Sequence, residues 1–414
     1  MAARFKTSLS VALILVSAAC GGPDVTTAPL LTPVPFNLQR LGLGAVTDRF
    51  TGELWVRGNT AYTTAWGNRN GVAGNAVKIW DVSNDTPVLL DSLVIVAPGS
   101  PTGITTLGDI QTTPDGKYLV VATEPLGFLV VYDLANPRKP TLVTMFAHAD
   151  IRNGVHTAEV QQINGKTYAF ACIDPRNGAK ARLVIVDITN PASPAIVFSR
   201  EMGNPFVHDV FVADGILMTA LWNDGMTIWD IGGGGKGGAI SNPIPLGNVK
   251  TVGGESHNIY WYRDPVTKSR RFALVGQEGP GSVNGTSTGD VHVIDVSDMT
   301  NPREVAFYNL PGAGTHNFSV DETRGILYAA YYSGGVRALS IRGDLGNCPA
   351  DQKVSDGRCD MRLMQRELAG LPLSGASAIP VFMWGVQFID SRLYASDMIN
   401  GLWRLSTVPA FESN

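Results

Sequence analysis

Four short stretches share one pattern. "VHTAEV", "VHDVFV", "SHNIYW" and "THNFSV" place His156, His208, His257 and His316 at the head of apolar or alternating runs. The chain has six histidines in 414 residues, so four in one local setting is selective use of the residue. Imidazole titrates near neutrality, and in its neutral form it ligates transition metals. Brought together, four such rings could hold Zn, Cu, Fe or Ni, or hydrogen-bond an organic ligand. Kept apart, each would cap its own strand through a backbone contact. The choice rests on whether the fold makes equivalent positions face one another.

Composition bounds the fold that must do this. Apolar residues make up 44% of the chain and charged residues only 16%, enough for a large core and too few charges for disorder. The formal net charge of −4, without a Lys/Arg cluster, argues against a nucleic-acid partner. Gly 46 and Pro 25 are the counts of a chain with many tight turns. Apart from one short candidate, Asp360–Leu368, helical periodicity is absent. No nucleophile elbow, P-loop or H-E-x-x-H motif occurs, and "GGGGKGG" (232–238) lacks the strand–loop–helix setting of a phosphate cradle, so it reads as a flexible turn.

Residues 1–19 read as an export signal: Arg4 and Lys6 are the basic start, Val11–Val16 the apolar stretch, and Ser17-Ala18-Ala19 the small-residue cleavage site. Cys20-Gly21-Gly22 follows and resembles the lipobox of bacterial lipoproteins, although Ser17 stands where that pattern usually has Leu. The resemblance implies acylation of Cys20 and a membrane-anchored, exported protein at the cell surface or in the periplasm, with 20–35 as a Pro/Thr-rich tether. Cys348 and Cys359 flank "CPADQKVSDGRC" and would pair in an oxidising compartment. Cys172, in "YAFACID", reads as a buried thiol.

Between tether and tail runs an internal repeat. "VKIWDVSNDTP", "LVVYDLANPRKP", "LVIVDITNPASP", "MTIWDIGGGG" and "VHVIDVSDMTNP" each carry an apolar strand, an aspartate and a turn. The aspartates are Asp81, Asp133, Asp187, Asp230 and Asp295, so successive copies lie 43 to 65 residues apart. Two worn copies, "VRALSIRG" and "LWRLSTVP", follow. That period suits one four-stranded propeller blade plus variable loops. "LVIVDITNPASP" is close to the signature of LVIVD-repeat proteins, exported β-propellers, and the resemblance spans roughly residues 45 to 408. It implies fold rather than activity. The expectation is an all-β, seven-bladed propeller of four-stranded antiparallel blades over 36–408, with an insert at 343–378 and a tail at 409–414. The last blade offers only three strands, and Asn37–Ala45 ("NLQRLGLGA") would supply the fourth and close the ring.

In such a ring the histidines occupy one circle. Aligning the first strand of each blade places Gly52, Gly108, His156, His208, His257, His316 and Trp384 in register around the axis. The second-to-third strand turns share that face and carry Glu124, Asp174, Asp224, Glu278 and Asp397, with Tyr332. A further arc is Glu53, Asp109, Asp209, Asn258 and Asn317, each directly after its ring position, while Trp66, Trp222, Tyr331 and Trp384 could wall the mouth. The expected site is therefore a His-lined channel mouth taking a small molecule, glycan or peptide. Two alternatives stand beside it: a metal-dependent oxidase, hydrolase or lyase built on His156, His208, His257 and His316, or a monomeric surface or adhesion scaffold whose histidines are structural.

Overall fold

The computed structural model describes residues 36–279, 283, 285–371 and 380–409; the export signal, Cys20, the tether and residues 410–414 lie outside them. Apolar runs of five to nine residues, punctuated by Gly, Asn and Asp, form strands because they can bury side chains on both blade faces. Seven four-stranded antiparallel blades result, each a meander whose strands are named A to D outward from the axis. Blade three is Val155–Ile163, Lys166–Ile173, Arg182–Asp187 and Ala195–Glu201. Blade seven takes its strands A to C from Met383–Ile389, Arg392–Asp397 and Gly401–Pro409, and its strand D is the N-terminal Phe36–Ala45. That pairing closes the ring between the two ends of the described chain. Blades seven and one are further joined by Gln387, whose Oε1 accepts from Val56 N–H at 2.6 Å.

No single core exists. Seven apolar clusters sit one between each pair of neighbouring blades, as where Val120 and Val131 of blade two meet Val160 and Val184 of blade three. Trp80 and Trp229, from the "IWD" copies, are buried there and donate to Thr63 and Thr219.

The repeated aspartate has one job throughout. The Oδ1 of Asp81, Asp133, Asp187, Asp230 and Asp295 accepts from the backbone N–H two residues on, at 2.7–3.0 Å. This turn ends strand C and launches the chain toward strand D. In blade four Asp230 goes further. Its carboxylate collects the N–H groups of Gly232, Gly234, Lys236 and Gly238, so the glycine run is a coil wound around one anion rather than a loose turn.

Two expectations need correction. Asp360–Leu368 is not helical: it lies between a short strand, Cys359–Asp360, and the strand Glu367–Leu371. The segment 343–378 is also not merely an excursion, because Glu367–Leu371 is strand D of blade six, pairing with Val336–Ser340. Cys359–Asp360 adds a parallel fifth strand to blade five. The repeat is hidden there because strand D arrives some 26 residues after strand C (340 to 367), with a Cys348–Cys359 disulfide in between.

Candidate functional site

The ring residues sit where strand A begins, and the backbone is bulged at that point in five blades. Strand pairing slips across Gly52 and Glu53, Gly108 and Asp109, His156, His257 and Asn258, and Trp384. A bulge leaves the extra residue unpaired and re-aims its side chain, here toward the axis. In blades four and six His208 and His316 precede strand A and fasten to strand B through their own N–H, each at 2.8 Å from Ala220 O and Ala330 O. Gly108 is glycine for a steric reason. A Cβ there would overlap the carbonyl oxygen of His156 in the next blade.

The four imidazoles follow one another around the axis, each ring tilted against the next. Ring centroids are 4.3 Å apart for His156–His208, 3.9 Å for His208–His257 and 4.2 Å for His257–His316, and Trp384 continues the arc 4.0 Å from His316. His156 Nδ1 lies 3.0 Å from Glu124 Oε1, and its Nε2 lies 2.9 Å from His208 Nε2. His316 Nδ1 donates to Trp384 O at 2.7 Å. Burial disfavours a charge on His156, but Glu124 outweighs it and raises the ring's pKa to about 10. Against burial, which raises it, His156 and Arg176 hold Glu124 down to about 2. Burial lowers His257 to about 4, and burial with the neighbouring His257 pushes His208 and His316 well below the usual range. His208 Nδ1 and both nitrogens of His257 have no hydrogen-bond partner, although those residues are only 7% and 2% exposed.

Not every expected carboxylate joins the rings. Glu124 does, and Asp174 stands 3.7 Å from His156 Nδ1. Glu278 stands 3.8 Å from His208 Nε2, 3.7 Å from His257 Nε2 and 3.9 Å from His316 Nε2, and it accepts from Tyr332 Oη–H at 2.5 Å. Asp397 is spent inside blade seven on Phe382 N–H, Ile399 N–H, Asn400 and Trp403. Asp224 stays at its turn, where its carbonyl accepts from Asn248. Trp222 stacks on His208 at 5.5 Å, and Trp66 meets His156 edge-on at 5.7 Å. Tyr331 instead packs on Tyr308, and Tyr332 takes the place beside His316 at 5.2 Å. Trp222 and Tyr332 both hold positive φ, 53° and 38°, which bulky residues rarely adopt. Backbone pairing with Ser256 and Met383 of the next blade holds them there. Arg176, not foreseen, binds Glu124 at 2.6 Å and Asp174 at 2.7 Å. A guanidinium two residues beyond Asp174 carried no distinguishing signal.

The cavity runs along strands A, away from the turns that carry Glu124, Asp174 and Glu278. It holds about 480 Å³, and the four histidines and Trp384 form its floor. Its wall includes the expected Glu53, Asp109, Asp209, Asn258 and Asn317, and also Glu159 and Gln111, three residues beyond the ring position. Glu53 accepts from Trp384 Nε1–H at 2.7 Å and from Asn317 at 2.6 Å. Asp109 accepts from Ile110 N–H and from Ala158 N–H of blade three. Burial, reinforced by neighbouring carboxylates, raises Glu53 to about 8, Glu159 to about 7 and Asp209 well above the usual range. No Lys or Arg among the described residues lines the cavity. Phe211, Tyr260, Phe318 and Phe388 supply its apolar surface.

This architecture and its repeats define the class. The LVIVD repeat family model matches residues 170–201 and 286–310, which contain the "LVIVD" and "VHVID" copies. The chain is a seven-bladed β-propeller that carries LVIVD repeats at these two places. The crystal structure of Saccharomyces cerevisiae Sqt1 is similar in fold, with a TM-score of 0.52 and 10% sequence identity over 87% of this chain and 83% of that one. No curated protein matches the chain in sequence.

Proposed function

We propose that the propeller binds a small organic cation in its central channel, with the cationic head among Glu53, Asp109, Glu159 and Asp209. The observation that carries this reading is the lining: four half-buried carboxylates and aromatic walls around about 480 Å³, with no Lys or Arg among the described residues that line it. Uncompensated buried carboxylates are costly unless protonated or paired. A bound ammonium would pair them, and a ring or alkyl body would rest on Phe211, Tyr260, Phe318 and Phe388. Cation–π contact would add about 0.5–2 kcal/mol. The residues before Phe36 support export with anchoring at Cys20, which would hold the channel outside the cytoplasm.

Benzylammonium, phenylacetate and benzyl alcohol share a body and differ in charge, so titration calorimetry with the three tests the claim. Benzylammonium is expected to bind and phenylacetate is not. Asp209→Asn with Glu159→Gln should weaken the cation about tenfold, ~1.4 kcal/mol. Because Glu159 and Glu53 ionise only as pH passes about 7 and about 8, affinity should rise across that window. An alcohol that binds as tightly as the cation would end the proposal.

A further inference from the structure

We propose that His208 and His257 bind one transition-metal ion through their Nε2 atoms, with Glu278 as the adjoining carboxylate and His156 and His316 flanking the pair. The ion deepens the channel reading, on which it rests for a route to its open side.

Three observations converge. The first is the outer partners of the rings. His156 Nδ1–H has Glu124 and His316 Nδ1–H has Trp384 O, so the two flanking rings are held by their outer nitrogens, with His156 Nε2 turned to His208 and His316 Nε2 toward Glu278. The second is spacing. Nε2 of His208, His257 and His316 all lie within 3.9 Å of Glu278. His208, His257 and Glu278 also place one ligand atom each within 4.8 Å of one another. The third is the unmet demand. His156 Nε2 and His208 Nε2 meet at 2.9 Å, but His257 Nε2, 3.7 Å from Glu278, is buried without a hydrogen-bond partner. Native proteins rarely leave such groups unpaired. Donation of the His257 Nε2 lone pair to an ion shared with His208 and Glu278 meets that demand.

The donor set narrows the ion. Imidazoles with one carboxylate and no thiolate favour Cu(II) or Zn(II) over Mg²⁺ or Ca²⁺. Arg176 is engaged by Glu124 and Asp174, on the outer side of His156, so it does not compete for the centre. His208 and His257 line the cavity whereas Glu124, Asp174 and Glu278 do not, so the side of the ion opposite Glu278 would face the channel.

The test uses the chain stripped with a chelator and then given Cu(II) or Zn(II) alone. One tightly held ion per chain is expected, with nitrogen superhyperfine splitting in the Cu(II) electron paramagnetic resonance spectrum and a raised melting temperature. The double variant His208→Gln/His257→Gln should lose the ion, while Glu278→Gln should weaken it about tenfold without abolishing it. Should the double variant fail to fold, the wild-type spectrum still decides, because imidazole nitrogens or their absence are read directly. A folded wild-type chain that holds neither ion, or a double variant that holds it as tightly, overturns the proposal. Benzylammonium binding is scored separately on the stripped chain, so loss of one activity without the other identifies which reading failed.

Discussion

At the residue scale, the same register position does different work in different blades. Gly108 yields its volume so that the His156 backbone can approach, while His156, His208, His257 and His316 fill the axis with polar rings. Gly108→Ala tests this. Its Cβ would collide with backbone rather than with a flexible side chain, so a blade must shift. The expected cost is about 1–3 kcal/mol in chemical denaturation. Unchanged stability would mean the blades have slack that the packed axis does not suggest. Glu124 is a second case. Its carboxylate is almost fully buried between His156 and Arg176, and Glu124→Gln leaves Asp174 as the one carboxylate beside both. Discounted for the partly exposed Arg176, the loss should be roughly 2–3 kcal/mol, read from the denaturation midpoint.

At the scale of elements, the strands are held by two devices: the aspartate turn after strand C and the bulge before strand A. The first recurs in five copies and is visible in any one of them. The second exists only where a strand has a partner to slip against, which is why the sequence places a histidine at a strand head but not its direction. The closing strand Phe36–Ala45 is the element whose removal is most telling. It buries Leu38 against blade seven and covers the edge of Gly401–Pro409. Deleting it should cost about 3–6 kcal/mol from lost apolar burial. The bare edge should also make the chain self-associate, visible in light scattering. A monomer melting at the wild-type temperature would show that blade seven stands on three strands.

At the scale of the whole molecule, the ring gathers the four histidines and Trp384 from positions up to 228 apart (156 to 384) into a single floor. Stability is spread over seven similar interfaces, but the site is not: it needs blades one to seven in one closed circle. If Cys20 is acylated, the circle is also tethered. Cys20→Ala should then move the protein from the membrane fraction to the soluble fraction in a bacterial host, with channel binding unchanged. A variant that stays with the membrane would remove the anchor from the account.

Periodicity, the turn aspartates and the register of first strands are local properties, written in the order of residues. From them the blade count, the closing strand and the circle of four histidines follow from the sequence alone. Packing decided the rest. It spent Asp397 and Asp224 elsewhere, brought Arg176 to Glu124, put Tyr332 rather than Tyr331 beside His316, and opened the cavity along strands A. These outcomes depend on which neighbour reaches a polar atom first in three dimensions, and no spacing along a chain encodes that distance.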